Sequence, residues 1–258
     1  MKNFLIIFYD DNNHHIISSI KTTLDNNSLN YDLYERTNLK KELFLKRDCI
    51  IVIGGDGTFL RTSHFVKNIP MIGINSNPKK KEGFLMHGNV DYFKIIIESI
   101  VKNNYGMRKL IRLRCKINDK EIEDIALNDF YIGPKTPYYL YNYDIKIGNI
   151  KELQRSSGIL VSTPAGTTAW INSAGGVKMN LDSTKYQYLI REPYTGNLMN
   201  KYKLKNGILN KNQKITLFSR CDSGIVVADS VSCEYNLKKG DKVEISVSKD
   251  YLNYVDIS

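Results

Sequence analysis

The stretch that decides the fold is CIIVIGGDGTFLRTSHFV, residues 49–66. It opens with an apolar run of strand length, and residues 59–66 carry apolar side chains at helical spacing. The glycine-rich turn Gly-Gly-Asp-Gly-Thr at 54–58 lies between them. Such a turn leaves backbone N–H groups free at the helix N-terminus, where the helix dipole favours negative charge. We therefore predict that the turn binds phosphate through Gly54, Gly55, Gly57 and Thr58.

The carboxylate of Asp56 is unexpected in a turn that binds anions. An aspartate at this place suits magnesium handling or the removal of a proton from a hydroxyl group, and it has no evident structural duty. The alternative is an ordinary turn in which the aspartate caps the helix. The complete five-residue pattern between a strand and a helix favours the functional interpretation, so we predict that Asp56 is catalytic.

Strands and helices alternate on both sides of this stretch, through about the first hundred residues. The strands are predicted at residues 4–9, 31–34, 49–53 and 71–74, and the helices at 16–24, 59–66 and 92–101. Alternation of this kind is typical of a parallel sheet covered by helices on both faces. We predict an α/β domain over residues 1–107.

The pattern changes from about residue 108, where apolar and polar residues alternate and Gly and Asn turns recur. Strands are predicted at residues 111–116, 143–147, 158–161, 214–218, 225–228 and 242–247, with one helix that begins near Thr167. We predict a second, β-rich domain over residues 108–258.

Two polar segments of this second domain have the residue types of a nucleotide site. Asn128-Asp129 follows an apolar run, and an amide beside a carboxylate suits the edge of an adenine or the hydroxyls of a ribose; the alternative is a turn. Residues 156–176, SSGILVSTPAGTTAWINSAGG, lead from a strand through Pro164 into a helix whose N–H groups and hydroxyls can hold a pyrophosphate or ribose. Trp170 in this segment either stacks on a base or fills the core.

The composition is that of a globular protein without a membrane span. Hydrophobic residues make up 42% of the 258 residues, and no apolar run approaches the roughly 20 residues that cross a bilayer. The N-terminus lacks the features of a signal peptide, so we expect a cytoplasmic protein. The net charge of +10 is spread along the chain, which argues against nucleic-acid binding and suits the attraction of small anions. The four cysteines have no zinc-type spacing.

In order and spacing the motifs resemble those of the NAD kinase family. The turn at 54–58 is shared with diacylglycerol-type lipid kinases and phosphofructokinases, whereas the segment STPAGTTAW at 162–170 makes the resemblance specific. The resemblance implies a Rossmann-like parallel-sheet α/β domain followed by a β-sandwich-like domain, in a homodimer or homotetramer. It also implies a kinase that uses Mg²⁺ and transfers a phosphoryl group from ATP or polyphosphate to the adenosine 2′-hydroxyl of NAD, giving NADP.

The family's site residues fall on positions of this sequence. The resemblance makes Asp56 the catalytic residue and assigns NAD binding to Asn128, Asp129, Thr163, Thr168, Ala169, Trp170 and Ser173. Tyrosine is usual at position 170, and an acidic residue is usual where this chain has Ser157. The chain also stops at Ser258 without the helical tail of many members, which leaves open whether its end packs onto the first domain.

A run of three lysines at 79–81 is the most unusual feature against the family pattern. The run is either a solvated loop or a site for the phosphates of the donor, because it follows a strand at the edge where open α/β sheets bind ligands. Two other functions remain open at this point. A lipid kinase shares the glycine-rich turn, and a catalytically silent NAD(P)-binding sensor shares the pocket motifs.

Overall fold

The computed structural model describes residues 3–9, 14–136, 138–196, 202–231 and 233–257, and it divides into two compact units. Unit 1 comprises Met1–Leu110 together with Tyr251–Ser258, and unit 2 comprises Ile111–Asp250. The sequence predicts ranges of 1–107 and 108–258. The internal boundary lies three residues later, after Leu110. The final segment belongs to unit 1, because its strand pairs with the sheet of that unit.

Unit 1 is built on one six-stranded sheet, sheet 1. Its strands, numbered along the chain, are β1 (Asn3–Phe8), β2 (Asn30–Glu35), β3 (Cys49–Gly54), β4 (Met71–Asn75), β5 (Gly106–Leu110) and β18 (Leu252–Asp256). Their order is β2-β1-β3-β4-β18-β5. The first four strands are mutually parallel, as predicted. β18 runs parallel to β4 and antiparallel to β5, so the sheet as a whole is mixed.

Helices cover both faces of sheet 1. They are α1 (His14–Asn26), α2 (Asp56–Ser63) and α3 (Phe93–Val101), with short 3-10 turns at Arg36–Asn38, Lys41–Phe44 and Val90–Tyr92. The apolar sides of α1 and α3 pack on one face, where Ile20 and Ile97 join Ile51 in a common core. On the other face, the ring of Phe59 in α2 lies against the ring of Tyr254. The predicted helix at 59–66 begins three residues earlier, since the N–H of Phe59 already bonds to the carbonyl of Gly55.

Unit 2 consists of two antiparallel sheets. Sheet 2 contains β6 (Leu113–Ile117), β7 (Lys120–Ala126), β9 (Tyr141–Ile147), β10 (Ile150–Ser156), β14 (Ile215–Ser219) and β17 (Lys242–Val247). Sheet 3 contains β8 (Asp129–Pro134), β11 (Ile159–Ser162), β12 (Tyr186–Ile190), β13 (Asn206–Leu209), β15 (Gly224–Ala228) and β16 (Tyr235–Leu237). The order is β10-β9-β14-β17-β6-β7 in sheet 2 and β13-β12-β11-β8-β15-β16 in sheet 3.

Sheet 3 is the buried layer of unit 2. Every residue of β8, β11 and β12 is buried, which requires cover on both faces of the sheet. Sheet 2 covers one face, where the ring of Tyr141 lies so close to Gly224 that a Cβ there would be 2.6 Å from it. Ile171 and the partly buried Trp170 pack on the other face, against Leu160. The predicted combination of an α/β domain and a β-sandwich-like domain is confirmed.

The helix predicted to begin near Thr167 is shorter and broken. A 3-10 turn at Ala165–Thr168 is followed by α4 (Trp170–Ser173), and Ala169 between them has non-helical angles, φ −101° and ψ −140°. The segment then leaves the helical path through Gly175, whose φ is +94°. Within the described residues, no helix is long and apolar enough to span a bilayer.

Candidate active site

The glycine-rich turn at 54–58 connects the carboxyl end of β3 to α2. Gly54 is required by packing, because a Cβ there would lie 2.8 Å from the hydroxyl oxygen of the buried Thr58. Gly57 is different: it is exposed, and a Cβ there would meet nothing within 4 Å. The open space at Gly57 leaves the first turn of α2 accessible to a ligand.

Asp56, the first residue of α2, has both carboxylate oxygens bonded to the main chain of a later loop. Oδ2 accepts the N–H of Phe84 at 3.0 Å, and Oδ1 accepts the N–H of Leu85 at 2.8 Å. The side chain is half-buried and therefore partly accessible to solvent. The sequence predicts no structural duty for Asp56, and this expectation is wrong because the carboxylate anchors the loop that follows β4.

Two cationic side chains lie beside the glycine-rich turn. Nη1 of Arg36 donates to the hydroxyl of Thr58 at 3.2 Å, and its guanidinium carbon is 3.5 Å from the ring centroid of Tyr9. Nζ of Lys81 is 2.9 Å from the hydroxyl of Ser76 and 5.6 Å from the same Tyr9 ring. A guanidinium and an ammonium group are thus held over one aromatic ring at the carboxyl edge of sheet 1, where α/β folds bind ligands.

The three lysines at 79–81 do not share the same surroundings. Asn75 holds this loop, because its side chain accepts the N–H of Asn77 at 3.0 Å and donates to the carbonyl of Lys81 at 2.9 Å. Lys79 and Lys80 are exposed. Lys81 is half-buried, and its Cδ would lie 3.2 Å from a Cβ on Gly55. Only the third lysine of the run therefore lies against the glycine-rich turn.

In unit 2, Asn128 and Asp129 lie where β7 leads into β8, and both are almost fully buried. Asn128 is 7% exposed and Asp129 is 3% exposed. Oδ1 of Asn128 is buried and has no hydrogen-bond partner in the part of the chain that the structure describes. An unpaired buried acceptor costs on the order of 1–3 kcal/mol. The residue therefore offers an acceptor that a ligand can satisfy.

The segment at 162–166 packs directly on this turn. The carbonyl of Asn128 accepts the N–H of Thr163 at 2.8 Å and the hydroxyl of Ser162 at 3.1 Å. The hydroxyl of Thr163 donates to the carbonyl of Leu127. Gly166 is required by the close approach, because a Cβ there would lie 2.4 Å from the carbonyl oxygen of Asn128. The structure thus brings Thr163 to Asn128, but it uses the Thr163 hydroxyl to hold the backbone.

The remaining predicted residues lie further along the same segment. Thr168, Ala169 and Trp170 are half-buried, and Ser173 is exposed. The indole of Trp170 has two close neighbours: its centroid is 5.2 Å from that of the Tyr131 ring, and the guanidinium carbon of Arg191 is 5.0 Å from it. Trp170 packs on the core of sheet 3 and remains partly accessible, so the two predicted roles are compatible.

Burial changes the ionisation of Asp129. Loss of solvation raises the pKa of its carboxyl from 3.8 to about 8, and the negative charge of Asp229 adds to the rise. Burial also lowers the pKa of Arg112 to about 10, and the charges of Asp250 and Asp229 oppose that shift. Asp129 is therefore protonated over much of the neutral range, in which its carboxyl can both donate and accept a hydrogen bond.

The matches to known protein families decide the classification. A model of the ATP-NAD kinase N-terminal domain matches residues 8–105, and a model of the ATP-NAD kinase C-terminal domain matches residues 127–257. The chain belongs to the NAD kinase family. This membership disfavours the lipid kinase that the glycine-rich turn alone left open.

Similar proteins carry the names of NAD kinases and NADH kinases. A probable NADH kinase of Oryza sativa subsp. japonica is 29% identical over 261 residues, which cover 93% of this chain and 80% of the rice protein. An NAD kinase of Thermoplasma acidophilum is 30% identical over 216 residues, which cover 82% of this chain and 74% of that protein. The crystal structure of an NAD kinase from Archaeoglobus fulgidus in complex with ATP has the same fold, with a TM-score of 0.81 at 20% identity, covering 98% of this chain and 92% of that one.

Two residues of this NAD kinase family member were not predicted from the sequence. Arg36 comes directly after β2. Its place at the carboxyl end of a parallel strand is the feature of the sequence that could have identified it as a candidate ligand-binding residue. Asp229 accepts main-chain N–H groups at Asn128 and Asp129, and no local pattern marks it. Among the described residues, no group of three or more His, Cys, Asp or Glu side chains forms a metal site.

Proposed function

We propose that the protein transfers the γ-phosphoryl group of ATP, bound as its magnesium complex, to the 2′-hydroxyl of the adenosine ribose of NAD, giving NADP. The observation that carries this proposal is the glycine-rich turn at 54–58, which presents an open helix N-terminus next to Asp56 within a member of the NAD kinase family. Polyphosphate is a second donor that the same turn suits.

The residues of unit 1 support the donor half of the reaction. The backbone of the turn ahead of Thr58 offers N–H groups to phosphate oxygens, whereas the N–H of Thr58 itself bonds to the carbonyl of Gly55. The α2 dipole favours negative charge at that end. Arg36 and Lys81 lie beside the turn and are close enough to share the Tyr9 ring. Like charges held together in this way are stabilised by an anion, and a triphosphate carries several negative charges.

The residues of unit 2 support the acceptor half. The Oδ1 of Asn128, which has no partner among the residues that the structure describes, offers an acceptor, and the protonated carboxyl of Asp129 offers a donor on the neighbouring residue. Ribose hydroxyls and the edge of adenine present the complementary groups. Ser173 and Trp170 remain accessible for the rest of the dinucleotide.

Asp56 acts on the hydroxyl that becomes phosphorylated. Two N–H donors fix the direction of its carboxylate, so that a lone pair can orient the 2′-hydroxyl or take its proton. Phosphoryl transfer demands little covalent chemistry from the protein, and positioning with charge neutralisation supplies most of the rate. Magnesium, when bound with ATP, neutralises phosphate charge during the transfer. A cytoplasmic location belongs to the same proposal, and so does the homodimer or homotetramer that the family resemblance implies.

A coupled assay tests this proposal. Purified protein is incubated with NAD or NADH, magnesium, and either ATP or polyphosphate, and NADP(H) is detected with a dehydrogenase specific for it. We expect NADP from NAD and ATP, and loss of the product when magnesium is omitted. A protein that is stabilised by NADP in a thermal shift but forms no product with any donor would instead be a silent sensor.

A further inference from the structure

Asp229, the residue after β15, is bonded to three consecutive backbone N–H groups. Its Oδ2 accepts the N–H of Leu127 at 2.8 Å, and its Oδ1 accepts those of Asn128 and Asp129 at 2.7 and 3.0 Å. Its own N–H donates to the carbonyl of Asp129 at 2.8 Å. Four hydrogen bonds therefore join one aspartate to a segment about 100 residues earlier in the chain.

The backbone of Asp229 is held in an unfavourable conformation to make these bonds. Asp229 has φ 52° and Ser230 has φ 54°, so two successive residues other than glycine lie in the left-handed region. Aspartate tolerates this region better than most residues, but the conformation persists only where the surroundings demand it. The strain is concentrated at the residue that binds the Asn128 turn.

We propose that Asp229 is a positioning residue for the acceptor substrate, because it holds Asn128 and Asp129 in the orientation in which their side chains bind the adenosine ribose. This inference rests on the proposed function, since it concerns the residues to which NAD binding is assigned. Asp229 does not touch the substrate and acts through its bonds to the backbone on either side of the two side chains.

The opposite side of the same turn supports this role. Ser162 and Thr163 donate to the carbonyl of Asn128, while Asp229 accepts its N–H. The backbone carbonyl and the backbone N–H of Asn128 are thus both hydrogen-bonded within the protein. Its side-chain Oδ1, by contrast, is buried without a partner among the described residues. The arrangement fixes the backbone and leaves a side-chain acceptor for a ligand.

The variants Asp229→Asn and Asp229→Glu test the inference, with Glu152→Gln as the matched control. Asparagine removes the charge and offers only one acceptor oxygen for the three donors, and glutamate keeps the charge but moves the carboxylate by one methylene group. Glu152 lies in the same unit, and its carboxylate also accepts two backbone N–H groups, from Lys203 at 3.0 Å and Leu204 at 2.9 Å.

We expect Asp229→Asn to lower kcat/KM for NAD at least tenfold and to raise the Kd of NAD by a similar factor, with the KM for ATP changed less than twofold. Glu152→Gln should lower the midpoint of thermal unfolding without a change in either NAD parameter. If Asp229 has a purely structural role, Asp229→Asn should instead lower the midpoint of thermal unfolding and leave both NAD parameters unchanged, as in the control.

The binding measurement separates this inference from the proposed function. If the wild type binds NAD but forms no NADP, the proposed function fails, and the Kd values still decide the role of Asp229. An Asp229→Asn protein that folds and keeps both NAD parameters within twofold of the wild type would overturn the inference. If Asp229→Asn does not fold, Asp229→Glu decides by the same two parameters.

Discussion

Oδ1 of Asp56 accepts the backbone N–H of Leu85 at 2.8 Å, across 29 residues of sequence. Leu85 is 3% exposed, so this bond anchors a buried part of the loop that follows β4. The residue expected to be catalytic thus also supports local structure. An experiment on Asp56 must therefore measure stability and turnover separately.

The variant Asp56→Asn should lose turnover by at least about a hundredfold, which is the usual scale for a general base. Its free energy of unfolding should fall by only about 1 kcal/mol, since the amide oxygen still accepts one of the two N–H groups. NAD binding should largely persist. Steady-state kinetics, calorimetric binding of NAD and urea unfolding measure the three quantities.

The matched control for Asp56 is Asp91→Asn, which changes an exposed acid in the 3-10 turn that precedes α3. This variant should keep normal turnover. Asp56 has no part in the mechanism if Asp56→Asn retains near-normal kcat.

The variant Lys81→Gln should raise the KM for ATP about tenfold, as expected for one lost charge-assisted contact, and raise the KM for polyphosphate more. The KM for NAD should stay nearly constant. The double variant Lys79→Gln/Lys80→Gln is the control, because both of these side chains are exposed. The difference between the two proteins should shrink with added salt. Unchanged donor KM in Lys81→Gln at low ionic strength would show that the lysine run does not bind the donor.

Trp170 is the sole tryptophan, so its fluorescence reports on its own surroundings. NAD and NADP should quench this fluorescence if the indole stacks on the dinucleotide. Trp170→Phe should be mild, and Trp170→Ala should weaken NAD binding by on the order of 1 kcal/mol, about fivefold in Kd. Trp170→Ala should also reduce stability, because the indole packs on the core of sheet 3. If neither ligand changes the fluorescence and Trp170→Ala lowers only the stability, Trp170 is a core residue and does not stack on the dinucleotide.

The raised pKa of Asp129 predicts a pH-dependent stability. In the unfolded state the Asp129 carboxyl has a pKa of 3.8, whereas in the folded state its pKa is about 8. Between these two pH values the folded protein keeps a proton that the unfolded protein has released. The contribution of this group to the free energy of unfolding is therefore greatest below about pH 4 and falls as the pH rises to about 8, by at most about 1.4 kcal/mol per pH unit.

The variant Asp129→Asn removes this titrating group, so the difference in stability between wild type and variant reports the contribution of Asp129. Urea unfolding of both proteins at several pH values should give a variant that gains stability relative to the wild type as the pH rises from 5 to 8. The comparison cancels the other titrating groups, which the two proteins share. A stability difference that is independent of pH would contradict the raised pKa.

The sequence alone determined the parts of the fold that depend on local pattern. Apolar runs of strand length and the apolar spacing of the helices located β1 to β4 and α1 to α3, and the glycine-rich turn located the start of α2 within three residues. In the second domain, the predicted strands correspond to β6, β9, β11, β14, β15 and β17. These features depend on interactions between residues close in sequence, which periodicity and turn chemistry express directly.

Only the tertiary structure decided which distant segments meet. β18 was not predicted, because its five residues carry no strong strand pattern, yet Val255 is buried in the core of unit 1 and Asp256 pairs with Arg108 at 2.7 Å. The contacts of Arg36 and Asp229 also depend on tertiary structure. Arg36 bonds to Thr58, which is 22 residues away in sequence, and Asp229 bonds to Asp129, which is 100 residues away. Local propensity does not encode such contacts, because burial and hydrogen bonding between distant segments arise only when the whole chain has folded.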